Sequence, residues 1–182
     1  MPTHSIQLPG AGALAPGYDE PFEMLHACHE RVQRMLALLD RLRRHVDARG
    51  ADEQARQAAR DVMRYFDQAA PQHHLDEENH VIPRLLASGD GALVGLGTRL
   101  RADHLAMEAA WSRARPVLDS LAQGGMARFD ADAHRAFDDF TSLYASHIEA
   151  EESAAFPAAQ GRMDATAVQA MSQDMMRRRG VA

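Results

Sequence analysis

Residues 147–157 read His-Ile-Glu-Ala-Glu-Glu-Ser-Ala-Ala-Phe-Pro, and residues 73–83 read His-His-Leu-Asp-Glu-Glu-Asn-His-Val-Ile-Pro. Both are His-x-x-x-Glu-Glu-x-x-x-apolar-Pro. Phe66 and Phe140 each stand seven residues before the histidine. The match continues upstream, where Leu25-His-Ala-Cys-His29 aligns with Leu100-Arg-Ala-Asp-His104. From His29 to His104 is 75 residues, and from His73 to His147 is 74. The chain reads as one helical hairpin used twice, with a histidine on the first helix of each copy and His-x-x-x-Glu on the second.

Apolar residues around these strings recur at steps of three and four, the helical period. Leu25, Val32, Leu36, Leu39, Leu42 and Val46 form one stripe, and His29 fills its gap. Val62, Phe66, Ala69 and His73 share a face, as do Leu96, Leu100, His104, Met107 and Trp111. The last set is Ala133, Phe137, Phe140, Tyr144, His147 and Glu151. Helices are expected over about 18–48, 52–86, 96–121 and 130–156. Pro71 should kink or locally unwind the second, Pro116 should bend the third late, and Pro157 should close the fourth. A shorter helix is expected over 164–178. The fold class is therefore all-α: an up-down-up-down four-helix bundle with a short C-terminal helix. Residues 1–17, with three prolines and three glycines, read as an irregular arm. The bundle occupies 18–160, and 161–182 is a C-terminal helix and tail.

The formal charge is −6 and the pI near 5.9, which argues against a nucleic-acid partner. Arg177-Arg178-Arg179 reads as a solvated tail. The one cysteine, Cys28, cannot form an intrachain disulfide and reads as a small buried apolar residue. The first 17 residues hold no Lys or Arg and no apolar run of signal-peptide length, and no segment approaches a membrane span. The expected setting is cytoplasmic, with no membrane partner; a protein partner is not specified.

A histidine and a glutamate at i and i+4 are neighbours on a helix. Two such helices bring His73, Glu77, His147 and Glu151 together, and His29 and His104 enter from the other two. Buried carboxylates need compensation, and a metal supplies it. Two six-coordinate ions have more positions than four imidazoles, two bridging carboxylates and a bridging oxide or hydroxide fill. Positions stay open for dioxygen, nitric oxide or a peroxide. Nitrogen and oxygen donors without thiolate favour iron, ahead of manganese or zinc. Three further residues are candidates. His26, one turn before His29, is a fifth nitrogen ligand, a neighbour of the ligands or a partly exposed histidine. Glu108, one turn after His104, closes an open position, orients a ligand or lies at the surface. Tyr144, one turn before His147, donates a hydrogen bond to a bound species or packs in the core. Glu78 and Glu152 point about 100° away from the ligands before them, towards the ligands' surroundings or solvent. His74 and His80 are expected to be exposed.

His29, His73-x-x-x-Glu77, His104 and His147-x-x-x-Glu151, with both Glu-Glu pairs and both prolines, make the sequence resemble the hemerythrin-like HHE cation-binding family over about 22–157. Its ligand pattern is closer to the iron–sulfur-cluster-repair proteins than to the oxygen carriers, which place a histidine where Glu108 stands. The resemblance implies a four-helix bundle with an oxo-bridged iron pair held by the six residues. It also implies binding or sensing of dioxygen or nitric oxide in oxidative or nitrosative stress. Alternatives are iron donation for cluster repair, a peroxide- or NO-consuming enzyme, and a metal-responsive regulatory module. The pattern leans away from an enzyme, since it shows few obvious acid–base groups beyond the ligands and no substrate pocket visible in sequence.

Overall fold

A computed structural model describes residues 17–181; the expected N-terminal arm lies outside them except for Gly17. The described chain is helical, without strands. We number five helices: α1 (Pro21–Arg49), α2 (53–86), α3 (Gly91–Ala122), α4 (131–160, interrupted by a turn at Ser142 and Leu143) and α5 (Ala165–Arg178). α1 packs on α2, α2 on α3 and α3 on α4, while α5 lies against α1 and α2.

Four helices start on an aspartate whose carboxylate accepts backbone N–H groups of the first turn: Asp52 from Ala55, Asp90 from Ala92 and Leu93, Asp130 from Ala133, and Asp164 from Ala167. These caps satisfy donors that a helix start leaves free and complement its dipole. α1 instead starts with Pro21, whose missing N–H costs nothing there. α3 begins at Gly91, a turn earlier than expected, because Asp90 caps it despite the glycines that follow. Gly97 has a packing reason: a Cβ there would stand 3.2 Å from Leu85 Cβ and 3.3 Å from Leu86 Cδ2. The helices α2 and α3 thus approach closely just after their connection.

The prolines follow expectation only in part. α2 contains π turns at Tyr65–Ala69 and Glu77–Val81, and α4 one at Glu151–Ala155. Pro71, Pro83 and Pro157 each occupy the second position of the α-helical segment that follows. Proline removes one backbone donor and crowds the carbonyl four residues earlier, and a wider π turn relieves that crowding. Pro71 accordingly unwinds α2 only locally. Pro157 does not close α4, which runs on through Phe156–Gln160. Pro116 lies inside α3 without interrupting it.

Two apolar clusters flank a polar layer. The larger gathers Val32, Leu39, Val62, Phe66, Met107, Leu118, Phe137, Phe140 and their neighbours. The smaller gathers Phe22, Leu25, Ile82, Leu85, Leu100, Phe156, Met171 and Met175. The last two come from α5, which is also held ionically. Arg178 and Arg179 both pair with the fully buried Asp76, Arg179 Nη2 at 2.6 Å from Asp76 Oδ2. The expectation of a solvated arginine tail is therefore corrected for these two residues. A buried carboxylate one position before Glu77 demands compensation, and α5 provides it. Among the described residues, no helix is long and apolar enough to cross a membrane.

Candidate metal centre

Between the two clusters lie His29, His73, Glu77, His104, His147 and Glu151, each at most 6% exposed. α1 contributes His29, α3 His104, α2 His73 with Glu77, and α4 His147 with Glu151. The i,i+4 spacing sets His73 Nε2 3.1 Å from Glu77 Oε1, and His147 Nε2 3.1 Å from Glu151 Oε1. His29 Nε2 lies 3.1 Å from Glu151 Oε2 and 3.7 Å from Glu77 Oε1. His104 Nε2 lies 3.3 Å from Glu77 Oε2 and 3.8 Å from Glu151 Oε1.

These contacts sort into two donor sets, His29–His73 and His104–His147, each completed by the same two glutamates, with all donor atoms of a set within 4.8 Å. Each glutamate divides its oxygens. Glu77 Oε1 faces His29 and His73 while Oε2 faces His104; Glu151 Oε2 faces His29 while Oε1 faces His104 and His147.

The four shorter distances would permit hydrogen bonds, yet the angles do not, and the 3.7 and 3.8 Å contacts are too long. Both oxygens of Glu77 and Glu151, and Nε2 of His29, His104 and His147, are buried without a hydrogen-bond partner. Buried polar atoms almost always find one. Lone pairs directed at common centres rather than at one another are the donor arrangement of a metal site, so the residues fit metal ions.

The opposite ring nitrogens are anchored by carboxylates. Nδ1 of His29 donates to Glu152 Oε1 at 3.0 Å, Nδ1 of His104 to Glu78 Oε1 at 3.0 Å, and Nδ1 of His147 to Asp103 Oδ2 at 3.3 Å. A carboxylate on Nδ1–H fixes the tautomer that leaves Nε2 free to ligate, and raises its basicity. His73 Nδ1 is buried without such a partner. Glu78 and Glu152 do point away from their own helices' ligands, but they reach the histidine of a neighbouring helix. Asp103 is a carboxylate at the site that sequence reasoning missed; its position directly before His104, where Cys28 precedes His29, was the available signal.

Electrostatics follow the crowding. Burial lowers the pKa of His29 and His104, but the adjoining Glu151 and Glu77 outweigh it and hold both at about 10. Burial, then the neighbouring His29, pushes His73 well below its usual range. Burial and the Glu151 charge raise Glu77. Without metal, the layer retains protons to offset its carboxylates.

The remaining candidates fall outside the two donor sets. His26 is half-buried, its Nδ1 3.6 Å from Glu152 Oε1; with His29 and Glu152 it makes a smaller group at the edge of the site. Glu108 is exposed. Tyr144 is buried against Phe66 and Phe140, without a hydrogen-bond partner for its hydroxyl among the described residues. His74 departs from its expected exposure: its ring stacks on His104 at 4.2 Å between centroids and 12° between planes. His80 pairs with Asp174 of α5 at 2.9 Å. Cys28 is only partly buried.

Comparison with known proteins agrees with this geometry. An uncharacterized protein of Haemophilus influenzae is 30% identical over 135 residues, covering 74% of this chain and 76% of that protein. The sequence model of the hemerythrin HHE cation binding domain matches residues 20–159, a span containing both donor sets and their carboxylate anchors. The chain belongs to the hemerythrin HHE cation-binding domain family.

Proposed function

We propose that the chain is a non-haem di-iron protein that binds or senses dioxygen or nitric oxide, built on α1–α4 as an up-down-up-down bundle. The observation that carries this reading is the division of each glutamate between two histidine pairs. One metal would leave half of each carboxylate and two imidazoles buried without a partner; two metals account for all of them. His29 and His73 would hold one ion, His104 and His147 the other, with Glu77 and Glu151 bridging. No thiolate enters either donor set, which favours iron over softer alternatives. When bound, a reduced iron pair with open positions supplies electrons and binding sites for small oxidants.

The chain's own residues shape that centre. Glu78, Glu152 and Asp103 hold three of the imidazoles with Nε2 inward. Phe66, Phe140 and Tyr144 pack as an aromatic group on the larger-cluster side of the layer. Protons on His29 and His104 leave when metal enters, which makes loading favourable at higher pH.

Metal analysis with an optical spectrum tests the reading, alongside His73→Ala and His147→Ala. About two irons per chain are expected, with near-ultraviolet absorption of a bridged pair that disappears in both variants. Zinc, or a single metal per chain from protein made with ample iron, would overturn the di-iron reading. Exposure of the reduced protein to dioxygen and to nitric oxide then separates the two ligands by their spectra.

A further inference from the structure

A cavity of about 530 Å³ borders the centre on its His104 side and reaches the surface between α2 and α3. Phe66, Ala70, Met107, Phe140 and Tyr144, all buried, form its inner wall. A diatomic ligand needs roughly the space of one water, about 30 Å³ of liquid volume. Pockets for small organic molecules span about 300–1,000 Å³. The cavity belongs to the second class.

Two polar groups face it without partners. The His74 imidazole lies flat on His104, and its nitrogens make no hydrogen bond among the described residues. The Tyr144 hydroxyl is also free, on a side chain only 4% exposed. The oxygen itself is not sealed in the core: it opens on the cavity, free to meet a ligand group. The mouth is apolar: of the three exposed large hydrophobics among the described residues, Leu75 and Leu105 flank it, at 43% and 65% exposure. Its charges suit no anion. Arg101 is engaged by Glu78 at 3.0 Å, and Glu108 at the rim has no ion-pair partner among the described residues.

We propose that this cavity binds a small neutral organic molecule with an apolar, ring-sized body and one hydroxyl group, the hydroxyl meeting His74 and Tyr144 and the body resting on the aromatic wall. Its placement beside the His104–His147 metal position rests on the di-iron reading; the binding itself does not. The hairpin repeat shows how the space arises, since α2 carries Ala70 where α4 carries Tyr144.

Trp111, the sole tryptophan, lines the cavity and reports on it. Benzyl alcohol, toluene and benzoate are titrated into the full chain, with and without iron, following Trp111 emission and counting metal on the same samples. Benzyl alcohol should give a saturable change, toluene should bind at least several-fold more weakly, and benzoate should give none. Ala70→Phe should abolish saturation. Leu105→Glu, an exposed substitution without risk to the fold, should weaken benzyl alcohol several-fold. Tyr144→Phe should erase its advantage over toluene. Emission that changes linearly with no saturation, or saturation unaltered in both Ala70→Phe and Leu105→Glu, overturns the proposal. Iron retained without benzyl alcohol binding defeats this proposal alone. Saturable binding in a chain that takes up no iron supports the cavity and defeats the di-iron reading.

Discussion

His73 and His147 occupy equivalent places in the repeat, yet their outer nitrogens differ. His147 donates to Asp103, while Cys28 stands at the equivalent position of the other copy and leaves His73 Nδ1 unpartnered. The His104–His147 set therefore has two carboxylate-supported imidazoles and the His29–His73 set one. Removing a carboxylate anchor typically costs about 10–100-fold in metal affinity. Asp103→Ala should weaken one of two metals by that factor and leave the other nearly unchanged, as read by competition with a chelator. Proton linkage makes a second prediction. His29 and His104 stand at about 10 when folded without metal, above the unfolded value near 6.5. Between those values the native state binds more protons than the unfolded one, so their contribution is full below about pH 6.5 and lost as pH rises towards 10. Metal competes with the same protons. The metal-free protein should lose stability across that window while the metal-induced rise in Tm grows; thermal melts at pH 6.5 and pH 9 check both. The six inward residues were legible because the i,i+4 pairs repeat in register. Asp103 was not assigned, and Glu78 and Glu152 were left between the ligands' surroundings and solvent, because each supports a histidine of another helix, a relation no single helical period displays.

At the level of elements, the apolar stripes marked the helices, and the aspartates at 52, 90, 130 and 164 cap four of them. What escaped was backbone geometry. Ile82 N–H bonds to the carbonyl of Glu77, and Phe156 N–H to that of Glu151, five residues back. Periodicity alone does not separate that turn from an α turn, although Pro83 and Pro157 were conspicuous in the sequence. α5 was expected as a short helix, but its arginines were read as a solvated tail. Its real register sets Met171 and Met175 in the smaller cluster and two guanidiniums on Asp76. Stripping both partners from a buried carboxylate costs roughly 3–5 kcal/mol. The double variant Arg178→Ala and Arg179→Ala should lower stability by about that much in denaturant unfolding. Asp76→Asn in the same background should restore part of it, because no buried charge then remains.

For the whole molecule, the polar layer divides the interior. The larger cluster spans α1–α4, and the smaller joins the ends of the same helices to α5. A metal pair would couple the halves through α1, α2, α3 and α4 at once. Without it, buried carboxylates sit at the seam and the smaller half can open by itself. Hydrogen exchange of the metal-free protein should show amides of α5 and of Ile82–Leu86 exchanging through a lower-energy opening than those around Phe137. Metal should merge the two. Equal protection throughout the metal-free protein would show that the seam does not divide cooperativity. The general architecture was legible because helical stripes and a duplicated hairpin leave few packings; the division was not, because a stripe does not say where along its length the cluster is interrupted.

The paired π turns bear on how such a chain tolerates change in length. Each accommodates one residue more than an α turn of the same span. In an uninterrupted α-helix, loss of one residue swings everything after it through about 100°. Loss of Asn79 or Ser153 would instead let the π turn close to an α turn, with Glu77 or Glu151 before it and Ile82 or Phe156 after it keeping their faces. The surplus residue is thus slack held beside the polar layer. A relative one residue shorter between the glutamate and the proline can keep both the donor geometry and the packing beyond it.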